Sequence, residues 1–424
     1  MSVARQPEND FARFIDIYYQ ECRQRFPTIE CIGGKWEFED LIPGLSDFDT
    51  RFIVRDGMTV RDWCEMSSAV GEVHLDMCRR FPHWARNLEH LPGINLMWQE
   101  LVNPGMYYPE YPQWTFYKTS NPARLAAAEQ YLSRRPWDAK DEYFHLKKFC
   151  LYFGRYDRKI DPPVNLGPYE NKYPLHSRFM HYFCPPLQSA LCVLFKRPIR
   201  GKLETVHLAC ERFPDVPVFA EMRKNVEQCY EAFEHYQEPE MTLLEDRLEK
   251  ALEFLKGQIA PHLTLIPDPV DKTVLEWKAC LARVPQQATL RVFEASRFSR
   301  LMKGRLRFYA MAPAHFDSSW PIENELRRMR RNFFEIPFGA FFELYSGRPA
   351  VDPLQHMSSL PQGLLTDHEI ESVHAFYRLL PASRQFGNLR DAALAVSLVF
   401  DGFFSALVKI SEHLKTISAK TRKL

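Results

Sequence analysis

The chain has 424 residues, 46% of them hydrophobic and 26% charged, which is enough to bury two or three cores and too apolar for a disordered protein. Its formal net charge of +1 excludes a global electrostatic drive toward nucleic acid or an anionic membrane. Ten cysteines lie scattered without a CxxC pair, and the opening MSVARQPEND lacks the apolar core of a signal peptide, so we expect reduced thiols in a cytoplasmic protein.

In chain order, Asn9 or Asp10 caps a first helix with Phe11, Phe14, Ile15 and Tyr18 on one face, and Pro27 follows its end. Residues 29–32 read as a strand, Gly33-Gly34 as a turn, and residues 50–54 as a second strand. Thr59-Val-Arg-Asp62 has the spacing of a capping box, with Asp in place of Glu or Gln, and opens a helix reaching about Arg80. Pro92-Gly93 marks a turn, followed by expected strands over 94–102 and 113–118. The loop between them, PGMYYPEYP, either stacks a base or an aromatic acceptor or forms a stiff edge loop.

From Asn121 the pattern turns helical, with candidate helices over 122–133, 141–153, 176–195, 203–212 and 219–236. Residues 237–241 read as a linker. Thr242-Leu-Leu-Glu245 reads as a capping box that opens a helix stopped by Gly257. The apolar run 392–400 is broken by Asp401 and reads as a buried helix too short to span a bilayer. Two parts of this region look alike. Pro168-Tyr-Glu-Asn171 matches Pro321-Ile-Glu-Asn324, and Leu203-Glu-Thr-Val-His207 matches Ile370-Glu-Ser-Val-His374 in the same order. We read a duplicated helical module, with His207 and His374 in equivalent structural places; chance similarity between amphipathic helices is the alternative. The expected division is 1–120, 121–237 and 238–424.

Residues 28–54 carry the chemistry. Asp47 and Asp49 are separated by one residue at the entry to a strand, so both carboxylates share a face, with Cα atoms roughly 6–7 Å apart. Two hard oxygen ligands so placed suit Mg²⁺ ions carrying a triphosphate. Gly33 and Gly34 lack a Cβ, so backbone N–H groups there can approach phosphate oxygens. The pattern Ile32-Gly33-Gly34, twelve residues, then Asp47-Phe48-Asp49 resembles the signature of the DNA polymerase β-like nucleotidyltransferase superfamily. Ser46 resembles the serine that commonly precedes the first aspartate, and Thr50 departs from the usual apolar residue. The resemblance covers about the first hundred residues. The bland alternative is a solvated acidic turn before a strand.

The resemblance implies an α/β nucleotidyltransferase domain with a small mixed β-sheet, here followed by a large, mostly α-helical region. It implies Asp47 and Asp49 as Mg²⁺ ligands in a two-metal site, and Gly33, Gly34 and Ser46 as nucleotide-binding residues. A third carboxylate would come from a later strand. Glu100 is preferred and Glu89 is the alternative; if Asn95 takes that place, the third acid is missing. The expected activity is Mg²⁺-dependent transfer of a nucleoside monophosphate from an NTP to a hydroxyl of a small acceptor, as in antibiotic-modifying members. An RNA-directed enzyme shares the motif but usually carries a strongly basic surface. A degraded fold that binds nucleotide or a partner protein is the non-enzymatic alternative. Arg197, Arg200 and Lys202 form a basic cluster that could offset triphosphate charge or be a solvated loop. ELRRMRR at 325–331 reads as a solvated face, and His176 and His181 as packing or surface residues.

Overall fold

The computed structural model describes residues 11–35, 37–41, 46, 48–85, 88, 91–156, 184–232, 238–262, 302–311, 360–382 and 388–421, with isolated positions between 322 and 358. The chain divides into two compact units, each drawn from separated segments. Met1–Ala12, Gly33–Asp49 and Gln99–Pro285 make the first; Arg13–Ile32, Thr50–Trp98 and Gln286–Leu424 make the second.

The architecture is a small mixed four-stranded sheet with helices, followed by a mostly helical region, as expected from sequence. Strands β1 (Ile29–Gly34), β2 (Thr50–Val54), β3 (Leu96–Met97) and β4 (Thr115–Thr119) lie in the order β3-β2-β1-β4. Strand β2 runs parallel to β3, with Ile53 opposite Leu96 and Val54 opposite Met97. All five residues of β2 are buried, the pattern of a strand covered on both faces rather than one.

Helix α1 (Phe11–Arg25) precedes β1, and α2 (Val60–Arg80) follows β2. The capping box holds: Thr59 accepts from the Asp62 N–H at 3.2 Å, and the Asp62 carboxylate accepts from the Thr59 N–H at 2.7 Å. Those bonds lower the Asp62 pKa.

Three local expectations change. Gly33 and Gly34 belong to β1, and the chain bends only at Lys35. The strand expected over 94–102 shrinks to β3, and Trp98–Leu101 forms a helical turn that carries Glu100. Leu-Met-Trp-Gln-Glu-Leu contains no β-branched residue, so nothing local holds it extended. The Asn95 amide also closes a turn here, accepting from the Phe52 N–H at 2.7 Å and donating to the Pro92 carbonyl at 3.2 Å. Finally, residues expected as a linker begin a helix, Glu238–Ile259. Pro239 is tolerated in the first turn, where its missing N–H has no partner to lose. Thr242 is therefore interior, and Gly257 sits within the last turns, where an added Cβ would meet nothing.

In the first unit, helices α3 (Pro122–Arg134) and α4 (Ala139–Tyr156) precede α5 (Cys184–Phe195), α6 (Lys202–Arg212), α7 (Pro217–Ala232) and α8 (Glu238–Ile259). Leu146, Leu191, Val206, Met222, Leu252 and Leu255 share one core across α4 to α8. In the second unit, α2 crosses α9 (Met302–Met311) at two glycines. A Cβ on Gly71 would sit 3.1 Å from the Gly304 carbonyl oxygen, and the Gly304 N–H donates to Ser67 Oγ at 2.7 Å. Helices α10 (Asp367–Ala382) and α11 (Leu389–Thr421) pack through Phe376 stacked on Phe403 at 3.8 Å.

The apolar run ending at Asp401 extends further as a helix than the sequence suggested. Residues Leu389–His413 are long and apolar enough to cross a membrane, yet 56% of the most apolar stretch is buried within the protein, as in a core helix. Of the suggested duplication, residues 168–171 and, in the matching stretch, Pro321 and Asn324 fall outside the described residues. His207 and His374 each lie on a helix followed by another, α6 by α7 and α10 by α11.

Candidate functional site

The two halves of the motif meet in the first unit. A Cβ built on Gly34 would lie 3.2 Å from the Asp49 carbonyl oxygen and 2.6 Å from Tyr117 Oη. One on Gly33 would lie 2.7 Å from the Thr115 carbonyl oxygen. A side chain at Gly33 would collide with the β4 backbone, so sheet packing alone already requires that glycine, whereas at Gly34 the nearest atom is the movable end of the Tyr117 side chain. Ser46 and Phe48 are buried, with Phe48 edge-on to Phe11 at 5.3 Å, while Asp49 is half-buried. A buried Phe48 beside a more exposed Asp49 is the alternation expected of an extended approach to β2. Asp47 and Glu89 lie outside the described residues.

Glu100 is fully buried on its helical turn, not on a strand edge. Asn95 is held by backbone bonds and is occupied as a structural tie. Among the described residues no cluster of three or more His, Cys, Asp or Glu forms a ready-made metal cage. Of the two expected Mg²⁺ ligands, Asp47 and Asp49, only Asp49 is described, and its carboxylate is an oxygen donor of the right hardness.

The structure adds charged groups that the sequence did not single out. Lys35, directly after the glycines, pairs with the buried Glu110 at 2.6 Å, and Glu110 also accepts from Trp114 Nε1 at 3.1 Å. Lys148, on α4, is half-buried above the Phe144 ring at 5.3 Å. Burial and the neighbouring Lys35 charge pull its pKa down to about 8, against the opposing pull of Glu110, Cys192 and Asp49. Lys148 thus feels both the charge of Lys35, itself paired with Glu110, and that of Asp49.

Residues 37–41, between the glycines and the aspartates, are held by residues far along the chain. Asp40 accepts from the N–H groups of Lys202 and Leu203 at 3.1 and 3.4 Å, capping α6 from 162 residues upstream. Its carbonyl accepts from Lys202 Nζ at 3.1 Å and Tyr230 Oη at 2.9 Å. Gly201 has φ +66°, and any Cβ there would strike the Asp40 carboxylate. Glu37 accepts from Thr115 Oγ1 at 2.6 Å and lies 3.8 Å from the Arg200 guanidinium.

Of the basic cluster, Lys202 is buried against Asp40, while Arg197 and Arg200 stay exposed, Arg197 paired with Glu204 at 3.1 Å. The aromatic loop at 104–112 is mainly structural: Tyr107 and Tyr111 are buried, and Tyr107 donates to Asp141 at 2.6 Å. In the segment 325–331, Glu325 is buried against Arg305 at 2.6 Å and Met329 is buried, while Arg330 is exposed and the other arginines lie outside the described residues. His176 and His181 lie outside the described residues. No signal in the sequence marks Asp40, Glu110 or Lys148, since each takes its role from a partner distant in the chain.

No family model, curated protein or solved structure matches the chain.

Proposed function

We propose that this protein transfers a nucleoside monophosphate from a Mg²⁺-bound NTP to a hydroxyl of a small acceptor. The observation that carries the reading is the approach of Gly34 to the Asp49 backbone, with the Lys148 charge within electrostatic reach of that aspartate. Asp47 and Asp49 would hold the metal, which supplies a Lewis acid for the phosphoryl oxygens and for the attacking hydroxyl. Lys35 and Lys148 would offset the triphosphate charge as the pyrophosphate leaves. The Asp40–Lys202 and Glu37–Thr115 bonds fix residues 37–41, and such support would favour a preorganised site. Glu100 would act on the acceptor side.

One observation favours a second reading, a nucleotide-binding or partner-binding scaffold that has lost transfer. Packing against β4 already accounts for Gly33, and Glu100 is fully buried. Pyrophosphate release, followed with each of the four NTPs, Mg²⁺ and a panel of hydroxyl compounds, separates the two. Transfer predicts release that needs Mg²⁺ and disappears in Asp49→Asn. Mg²⁺-dependent NTP binding without release from any combination supports the scaffold.

A further inference from the structure

A second feature of the first unit lies outside the motif. A cavity of about 430 Å³ opens between the start of β4, the α3–α4 connection and the loop after α5. Its apolar wall includes Trp137, Tyr107 and Phe116. Four cationic residues line it, Arg135, Lys196, Arg197 and Arg200, against two acidic ones, Glu129 and Asp141.

The four cations are not equivalent. Arg135 lies 3.4 Å over the Tyr107 ring and pairs with Asp141 at 2.6 Å, so it is a fixed part of the wall. Arg197 pairs with Glu204 at 3.1 Å. The Arg200 side chain donates to the Pro112 carbonyl at 3.2 Å and has Glu37 only at 3.8 Å. Lys196 has no ion-pair partner among the described residues, and it holds φ +51° just past the end of α5. Glycine suits that backbone position far better than lysine. A lysine there places an unpaired charge on the cavity at a backbone cost. The Trp137 indole N–H is buried without a hydrogen-bond partner among the described residues, while its ring stacks on His145 at 5.5 Å. Flat apolar walls, an excess of cations and an unsatisfied donor are complementary to a ring that bears a negative group.

We propose that this cavity binds a small ring-bearing anion, a phosphate or carboxylate attached to an aromatic or similarly flat ring. Thr115 and Phe116 line the cavity and also pack against Gly33, so the same strand borders the candidate transfer site. As the acceptor pocket, a role that rests on the transfer reading above, it selects an acidic acceptor and disfavours polycationic antibiotics.

The test is calorimetry of the full chain with 4-nitrophenyl phosphate, in the absence of Mg²⁺ and NTP, so that it stands apart from transfer. Binding is expected to weaken about tenfold in Arg200→Ala and in Lys196→Gly, the loss of one charge-assisted contact. Lys196→Gly also relieves the backbone, so its melting temperature should hold or rise, which separates lost binding from lost fold. Asp49→Asn should bind the probe as the parent does. Neutral 4-nitrophenol and kanamycin should bind at least tenfold more weakly than the phosphate. Absence of binding to the parent chain, equal affinity in both cavity variants, or equal binding of 4-nitrophenol would overturn the proposal.

Discussion

Lys148→Met is the substitution whose outcome follows most directly from the electrostatics around Asp49. The lysine pKa is held at about 8 against an ordinary 10.5, chiefly by burial and by the Lys35 charge. At about 1.4 kcal/mol per pH unit, that sets a ceiling of roughly 3 kcal/mol on what the charged form costs the empty protein. The side chain is only half-buried, so solvent screening brings the expected value to about 1–2 kcal/mol. The sign follows from proton binding. Between pH 8 and 10.5 the unfolded chain holds this proton and the folded chain does not, so parent stability rises with pH across that window.

Methionine keeps the apolar stem and removes the charge. The variant should melt higher than the parent at pH 7, by about 2–4 °C per kcal/mol for a unit of this size. The gap should close by about pH 10.5. NTP binding with Mg²⁺ should fall by tenfold or more, because a phosphate contact is lost. Thermal melts from pH 7 to 10 check the first part and calorimetry the second. A variant that melts lower than the parent at pH 7, or with a gap independent of pH, would refute the reasoning.

Other substitutions probe the frame. Thr59→Ala removes the α2 cap and should cost about 1 kcal/mol in urea titration. Gly304→Ala drives a Cβ into the Ser67 carbonyl at the α2–α9 crossing. It should cost about 3 kcal/mol or prevent folding, whereas Gly257→Ala, with open space around it, should stabilise by about 0.5–1 kcal/mol in the same titration. Burial pushes the Glu369 carboxyl up, but bonds from Lys409, Ser405 and Thr366 outweigh it and hold the pKa at about 2. That stabilisation is full above pH 4.5 and lost as pH falls toward 2. Lys409→Met should therefore cost about 1 kcal/mol at pH 7, with the difference shrinking below pH 4.5 on denaturant titration.

What the sequence made legible was whatever short-range chemistry decides. Helix α2 shows itself through Thr59, Asp62 and the spacing of Trp63, Val70 and Met77, and β2 through the buried run around Ile53. The rest depended on distant partners. Residues 98–101 curl because nothing local keeps them extended and Asn95 has closed the turn before them. Pro239 looked like a break because the missing N–H matters in a helix interior but not in its first turn. At the candidate site, the spacing of Gly33, Gly34 and Asp49 was readable. Lys148 and Asp40 were not, because each gains its environment from residues distant in the chain.

The central claim is tested most directly by titrating each NTP, with and without Mg²⁺, into the full chain and into Asp47→Asn and Asp49→Asn. The account predicts that the parent binds at least one NTP only when Mg²⁺ is present, and that either substitution abolishes that binding while far-UV circular dichroism stays unchanged. Folded Asp47→Asn and Asp49→Asn proteins that bind Mg²⁺–NTP as tightly as the parent would contradict it.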